Sequence, residues 1–72
     1  MHNDHVILTT LRNWENNGES LEQAIMRWQN CKHAEILESG EVYIEGPQSR
    51  RTLNDSELLK LIEWLRTEGL ID

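Results

Sequence analysis

Residues 34–46 read AEILESGEVYIEG, with apolar side chains at every second position on both sides of Ser39 and Gly40. That is the period of two strands with one wet side, bent back at a turn. The turn decides which residues go inside. A two-residue turn at Ser39 and Gly40 sets Glu35 on the same face as Leu37, Val42 and Ile44, mixing charge into the buried side. A loop of Glu38, Ser39 and Gly40, with Gly40 left-handed in a bulge, pairs Ile36 with Val42 and Ala34 with Ile44. One face is then wholly apolar, and Glu35, Leu37, Glu41, Tyr43 and Glu45 lie on the other, with Glu38 in the turn. This second register is the expected one. A lone hairpin is unstable in water, so its apolar face needs helices to pack on.

Three helices are predicted to supply that cover. The first starts after Asn3 or Asp4, runs to about Asn16 and is stopped by Gly18. Its stripe is Ile7, Leu11 and Trp14, flanked by Val6 and Leu8, and "NNGE" makes the following turn. The second opens on "SLEQ", in which Ser20 and Gln23 can cap each other's backbone N–H. Leu21, Ala24, Ile25 and Trp28 form its buried stripe, extended by Cys31, and Met26 points away. The last helix is capped by Asn54 and Glu57, with Leu53 stapled onto Leu58, and it buries Leu58, Leu61, Ile62 and Leu65. Gly69 stops it and lets Leu70 fold back on Leu65. Leu59 and Trp64 sit on opposite shoulders of its stripe. "GPQSRRTL" reads as a linker. The expected fold is a single small α+β domain over residues 1–72, ordered helix, helix, β-hairpin, helix, with the hairpin packed on the helices.

A chain of 72 residues buries only about 60% of the surface its unfolded form exposes, so its stability is narrow. Cys31 is its only cysteine, which excludes an internal disulfide and favours a reducing compartment. No stretch approaches the roughly 20 apolar residues of a membrane span, and "MHNDHVILTTLRNW" lacks the basic lead and cleavage site of a secretory signal. A cytoplasmic location is therefore expected. Hydrophobic residues make up 38% of the chain, with three tryptophans, enough for a small core. The tryptophans, one per helix, are expected to share it.

The net charge is −6, and residues 34–49 hold four acids and no base. Such a balance repels a phosphate backbone. All four glycines have turn or stop roles, leaving none for a phosphate cradle, and no nucleotide-binding motif is present. Cys31 and His33 resemble a nucleophile with its base, but side chains two apart at a helix end diverge, and no third group orients the histidine. His2, His5, Cys31 and His33 have spacings that zinc tolerates, without the close ligand pairs usual at structural sites. No catalytic residue, metal or cofactor is expected.

Protein interaction is the favoured function, through a homodimer or a larger and basic partner. Met26, Leu37, Tyr43, Leu59 and Trp64 are apolar residues the core can spare, and Glu35, Glu38, Glu41 and Glu45 would steer the partner. The chain would then be a non-enzymatic acidic adaptor or inhibitor. The rival is a DNA-binding regulator of winged-helix type. Gln23, Arg27, Asn30 and Lys32 of the second helix would face DNA, and Arg50 and Arg51 would hold a phosphate. Against it stand the acidic wing and Trp14, which is bulky four residues before Gly18 where two helices must approach.

Overall fold

The computed structural model describes residues 2–16 and 18–71, with the side chains of residues 2–4 outside the description. Its elements are α1 (His2–Leu11), β1 (Glu15–Asn16), β2 (Glu19–Ser20), α2 (Leu21–Gln29), β3 (His33–Ile36), β4 (Val42–Glu45), β5 (Arg50–Thr52) and α3 (Asp55–Thr67). This is a small α+β domain with a two-stranded sheet, β1–β2, and a three-stranded antiparallel sheet in the order β3–β4–β5.

The central hairpin has the expected register, Ala34 opposite Ile44 and Ile36 opposite Val42. The Leu37 N–H donates to the Glu41 carbonyl, and the Gly40 N–H donates to the Leu37 carbonyl, closing the three-residue loop. Gly40 is left-handed at φ +91°, and a Cβ there would overlap the backbone of His5 in α1. The turn therefore fits α1 only as glycine. Thr9 secures the same contact, its hydroxyl donating to the His5 carbonyl at 2.9 Å and to that of Glu38 at 3.4 Å.

Alternation sends Ala34, Ile36, Val42 and Ile44 inward, where they cluster with Leu8, Leu21, Ile25, Leu53, Leu58, Leu61, Ile62 and Leu65. All the helices contribute to this one core. Both capping boxes form, Ser20 with Gln23 and Asn54 with Glu57. At the other end of α3, the Leu70 N–H donates to the Leu65 carbonyl and the Gly69 N–H to that of Arg66. That double bond pattern, with Gly69 at φ +74°, brings Leu70 back over the core as the glycine stop required.

The first helix differs from expectation. It includes Asn3 and Asp4, whose proposed capping side chains lie outside the described residues, and it ends at Leu11 instead of near Asn16. The Trp14 N–H closes a tight turn on the Leu11 carbonyl, after which the chain extends into β1. Glu15 pairs with Ser20 and Asn16 with Glu19, so Gly18 serves the turn of a miniature hairpin and stops no helix. Asn13, Asn16 and Gly18 are poor helix formers, and the short ladder outcompetes another helical turn. Leu8 is the fully buried residue of α1, with Ile7 and Leu11 packed beside it.

The segment read as a linker forms β5. Residues 46–49 connect it to β4, with the Gly46 N–H donating to the Ser49 carbonyl. Arg50 lies opposite Glu45, Arg51 opposite Ile44 and Thr52 opposite Tyr43. All three residues of β5 are exposed, so it has no apolar alternation to betray it. The tryptophans lie at the rim of the core, each half-buried. Trp28 and Trp64 join α2 to α3 with ring centroids 6.1 Å apart, and the Arg27 guanidinium stands 5.1 Å over the Trp64 ring. Trp14 follows α1 and lies outside it.

Two substitutions test this account. Gly40→Ala combines positive-φ strain with collision against α1, so a loss of about 2 kcal/mol or more is expected in chemical unfolding. Asn54→Ala removes one cap and should cost about 1 kcal/mol. An alanine at position 40 that unfolds like the parent chain would mean that the turn does not rest on α1.

Candidate partner-binding face

Residues directly opposite in a ladder share a face, so His33, Glu35 and Leu37 lie on the outer side with Glu41, Tyr43 and Glu45, and with Arg50 and Thr52 from β5. Leu8, Leu21, Ile25, Leu58, Leu61, Ile62 and Leu65 of the helices join the cluster beneath the inner side. Tyr43 is the centre of the outer face. It is half-buried, it meets the His33 ring edge-on at 6.2 Å, and its hydroxyl reaches toward Glu45 at 3.5 Å.

Charge on this face is uneven. Glu45 lies 3.7 Å from Lys32 and opposite Arg50, while Glu35 lies 3.6 Å from His33. Near the hairpin tip, Glu38 and Glu41 make no salt bridge with a described cation; Glu41 accepts instead from the Ser39 hydroxyl at 3.1 Å. The third strand thus brings one cation, Arg50, to one end of a face whose own hairpin contains none, and the acidic excess moves to the tip.

Of the other apolar candidates, only Leu37 joins the outer face. Met26 and Trp64 are packed against the core, and Leu37 is half-buried. Leu59 on α3 is 44% exposed and Val6 on α1 is 63% exposed. Val6 was expected beside the buried stripe and stands further out than any of the chosen apolar residues, because α1 buries Leu8.

Most of the polar residues considered for DNA have internal tasks. Gln23 accepts from the Ser20 N–H. Asn30 is the left-handed end of α2 at φ 54°. Arg27 makes two hydrogen bonds to Glu19, and Arg51 pairs with Glu57 of α3. Lys32 is beside Glu45, which leaves Arg50 exposed at the sheet edge. Arg50 lies opposite the hairpin's Glu45, and Arg51 ties β5 to the start of α3.

Around the other titratable candidates, Cys31 Sγ donates to the His33 carbonyl at 3.4 Å, away from the ring, and His5 Nε2 is 3.6 Å from Asp55 Oδ1. Among the described residues no three His, Cys, Asp or Glu side chains are grouped as metal ligands, and the His2 side chain lies outside the description. No described helix is long and apolar enough to cross a membrane.

Hollows border the sheet among the described residues. Two flank the β4–β5 turn, with volumes of about 260 and 200 Å³. The third, about 450 Å³, runs beside β3 and is lined by Arg12, Asn13, Glu22, Glu35, Ile36, Leu37 and Glu38. Arg12 and Glu22 had no sign in the sequence of belonging to this side. No protein-family model, curated protein or solved structure matches the chain.

The exposed ion pairs carry a pH dependence. The Arg51 guanidinium, and then the Asn54 backbone N–H, hold the Glu57 carboxyl below its ordinary value, and Arg27 does the same for Glu19. A carboxylate whose folded pKa is depressed adds stability above its unfolded value, near 4.5, and this is lost as pH falls through the folded value. Stability is therefore expected to drop on acidification below about pH 4.5. Glu57→Gln keeps the cap, and it should flatten that drop while costing less than about 1 kcal/mol at pH 7. Thermal melts of both proteins from pH 3 to pH 7 check this; parallel profiles would rule out the Arg51 pair as a contributor.

Proposed function

We propose that the chain is a non-enzymatic interaction module, an acidic adaptor or inhibitor, that docks on another protein through the outer face of the three-stranded sheet. The observation that carries this reading is the half-buried Tyr43 at the centre of the sheet face opposite the core cluster. Aromatic side chains with a polar tip are favoured anchors of interfaces, since they bury a large area at little conformational cost. Leu37 is the second anchor, near the tip.

Glu38 and Glu41 supply the field. With a net charge of −6 and no described cation paired to those two carboxylates, approach of a basic partner is accelerated and that of nucleic acid is opposed. The engagement of Arg27, Lys32 and Arg51 with carboxylates of the same chain favours this reading over DNA contact, because each such cation would have to leave a partner to bind phosphate. A homodimer through the same face would bring its own carboxylates together, so a different protein is the better occupant.

Tyr43→Ala and Leu37→Ser are expected to weaken the partner complex by roughly tenfold each or more. Glutamine at Glu35, Glu38, Glu41 and Glu45 should slow association and flatten its salt dependence with little change in dissociation. Surface-plasmon kinetics against the partner recovered by cross-linking measure both. Duplex DNA bound at low salt with a steep salt slope, or a partner complex indifferent to all these changes, would overturn the proposal.

A further inference from the structure

Residues 5–11 of α1 read HVILTTL and hold no Asp, Glu, Lys or Arg, an uncharged run that neither α2 nor α3 matches. Val6, Ile7 and Leu8 are consecutive, so they leave the helix on three different sides, about 100° apart. The core takes Leu8 whole, and Ile7 and Leu11 pack against it in part. Val6 and Thr10 each stand two positions from Leu8, about 160° around the helix from it, on the side away from the core. Both are exposed, Val6 at 63%. A helix that is apolar on more than one side is suited to being covered on more than one side.

The polar groups of this outer side do not depend on water. The Thr10 hydroxyl donates to the Val6 carbonyl at 2.9 Å, and the Thr9 hydroxyl donates to that of His5. Their protons are already engaged within the helix, so covering them leaves no donor stranded. Leu59, the other exposed large hydrophobic residue among those described, follows Asp55 by one turn of α3. Asp55 lies 3.6 Å from His5, the neighbour of Val6. Val6 and Leu59 are thus both within a turn of one contact between α1 and α3.

We infer that a second copy of this chain covers the outer side of α1, with Val6 and Thr10 at the centre of a two-fold contact and Leu59 at its margin. Charge selects the occupant. Residues near a two-fold axis meet their own copies, so a chain of net charge −6 pairs with itself at least cost where it carries no charge. The outer sheet face would set Glu35, Glu41 and Glu45 near their own copies, whereas α1 sets valine and threonine there. A partner selected by opposite charge has nothing on this side of α1 to hold it. Leu8 anchors α1 in the core beneath the inner side of the sheet, so this pairing leaves Tyr43 free and presents the outer sheet face twice. A contact centred on one short helix is small, and the dimer is accordingly weak and reversible.

Sedimentation equilibrium of the full chain, from micromolar to millimolar concentration, reads the association. A reversible dimer is expected that tightens as salt rises, because salt screens two acidic chains from each other and leaves the apolar contact intact. Val6→Glu sets a carboxylate against its own copy at a position the core does not use, and it should weaken the dimer roughly tenfold or more with the circular dichroism spectrum unchanged. Thr10→Glu, on the same side, should act alike, and isotope-filtered NOEs between labelled and unlabelled copies should link the Val6 methyls of one to Thr10 of the other. A chain that stays monomeric at millimolar concentration in low and high salt would overturn the inference, as would a dimer indifferent to both substitutions or one dispersed by Tyr43→Ala in place of them. A dimer that loosens as salt rises would be held by ion pairs, and that too would overturn pairing through the uncharged side of α1.

Discussion

The seat of Gly40 on the backbone of His5 is the constraint on which the rest of the sheet depends. A left-handed residue at that place closes the loop of Glu38, Ser39 and Gly40 and sets Ile36 against Val42. A slip of one residue would turn one strand over against the other, placing Glu35 and Leu37 under the helices beside Val42 and Ile44 and leaving Ile36 in water. Burying one unpaired carboxylate costs several kcal/mol, comparable with the whole stability expected of so short a chain. Turn conformation, strand register and the position of α1 are thus one choice, made at a residue with no side chain.

Such a narrow margin also explains how the charges are used. Arg51 reaches from β5 to Glu57, the same residue that caps α3, so one carboxylate serves both the helix end and the sheet edge. Arg27 holds Glu19 of β2 while lying over Trp64 of α3, joining three elements from one side chain. Each exposed pair contributes little alone. Their value lies in holding short elements where a small core leaves them loose, and they occupy cations that would otherwise offset the carboxylates at the hairpin tip.

Elements with strong local chemistry were legible in the sequence. The capping boxes at Ser20 and Asn54, the Gly69 stop with Leu70 folded back, and the alternation around Gly40 each depend on residues within a few positions of one another, and each took the form its side chains dictate. The first helix was legible only in part, because Leu8 and not Ile7 or Leu11 became its buried centre; a short helix with Val6, Ile7 and Leu8 in a row carries no clear stripe. β5 was hidden for a different reason. An edge strand exposed on both sides needs no apolar pattern, and Arg50, Arg51 and Thr52 are ordered by the ladder they join and by Glu57. The outer hairpin face followed from alternation, whereas Arg12 and Glu22 reached the hollow beside β3 through tertiary placement alone.

The hidden strand changes the electrostatic argument more than the fold. With a bare hairpin, four glutamates would face solvent as one acidic surface. With β5 in place, Arg50 stands across from Glu45 and Lys32 lies beside it, so the face acquires a polarity along its strands, neutral near the β4–β5 turn and acidic at the tip. The same strand completes β4 on its second side, leaving the sheet with one edge defended by arginines and one bordered by carboxylates. The strand that looked like a linker is therefore what sets the charge asymmetry of the sheet.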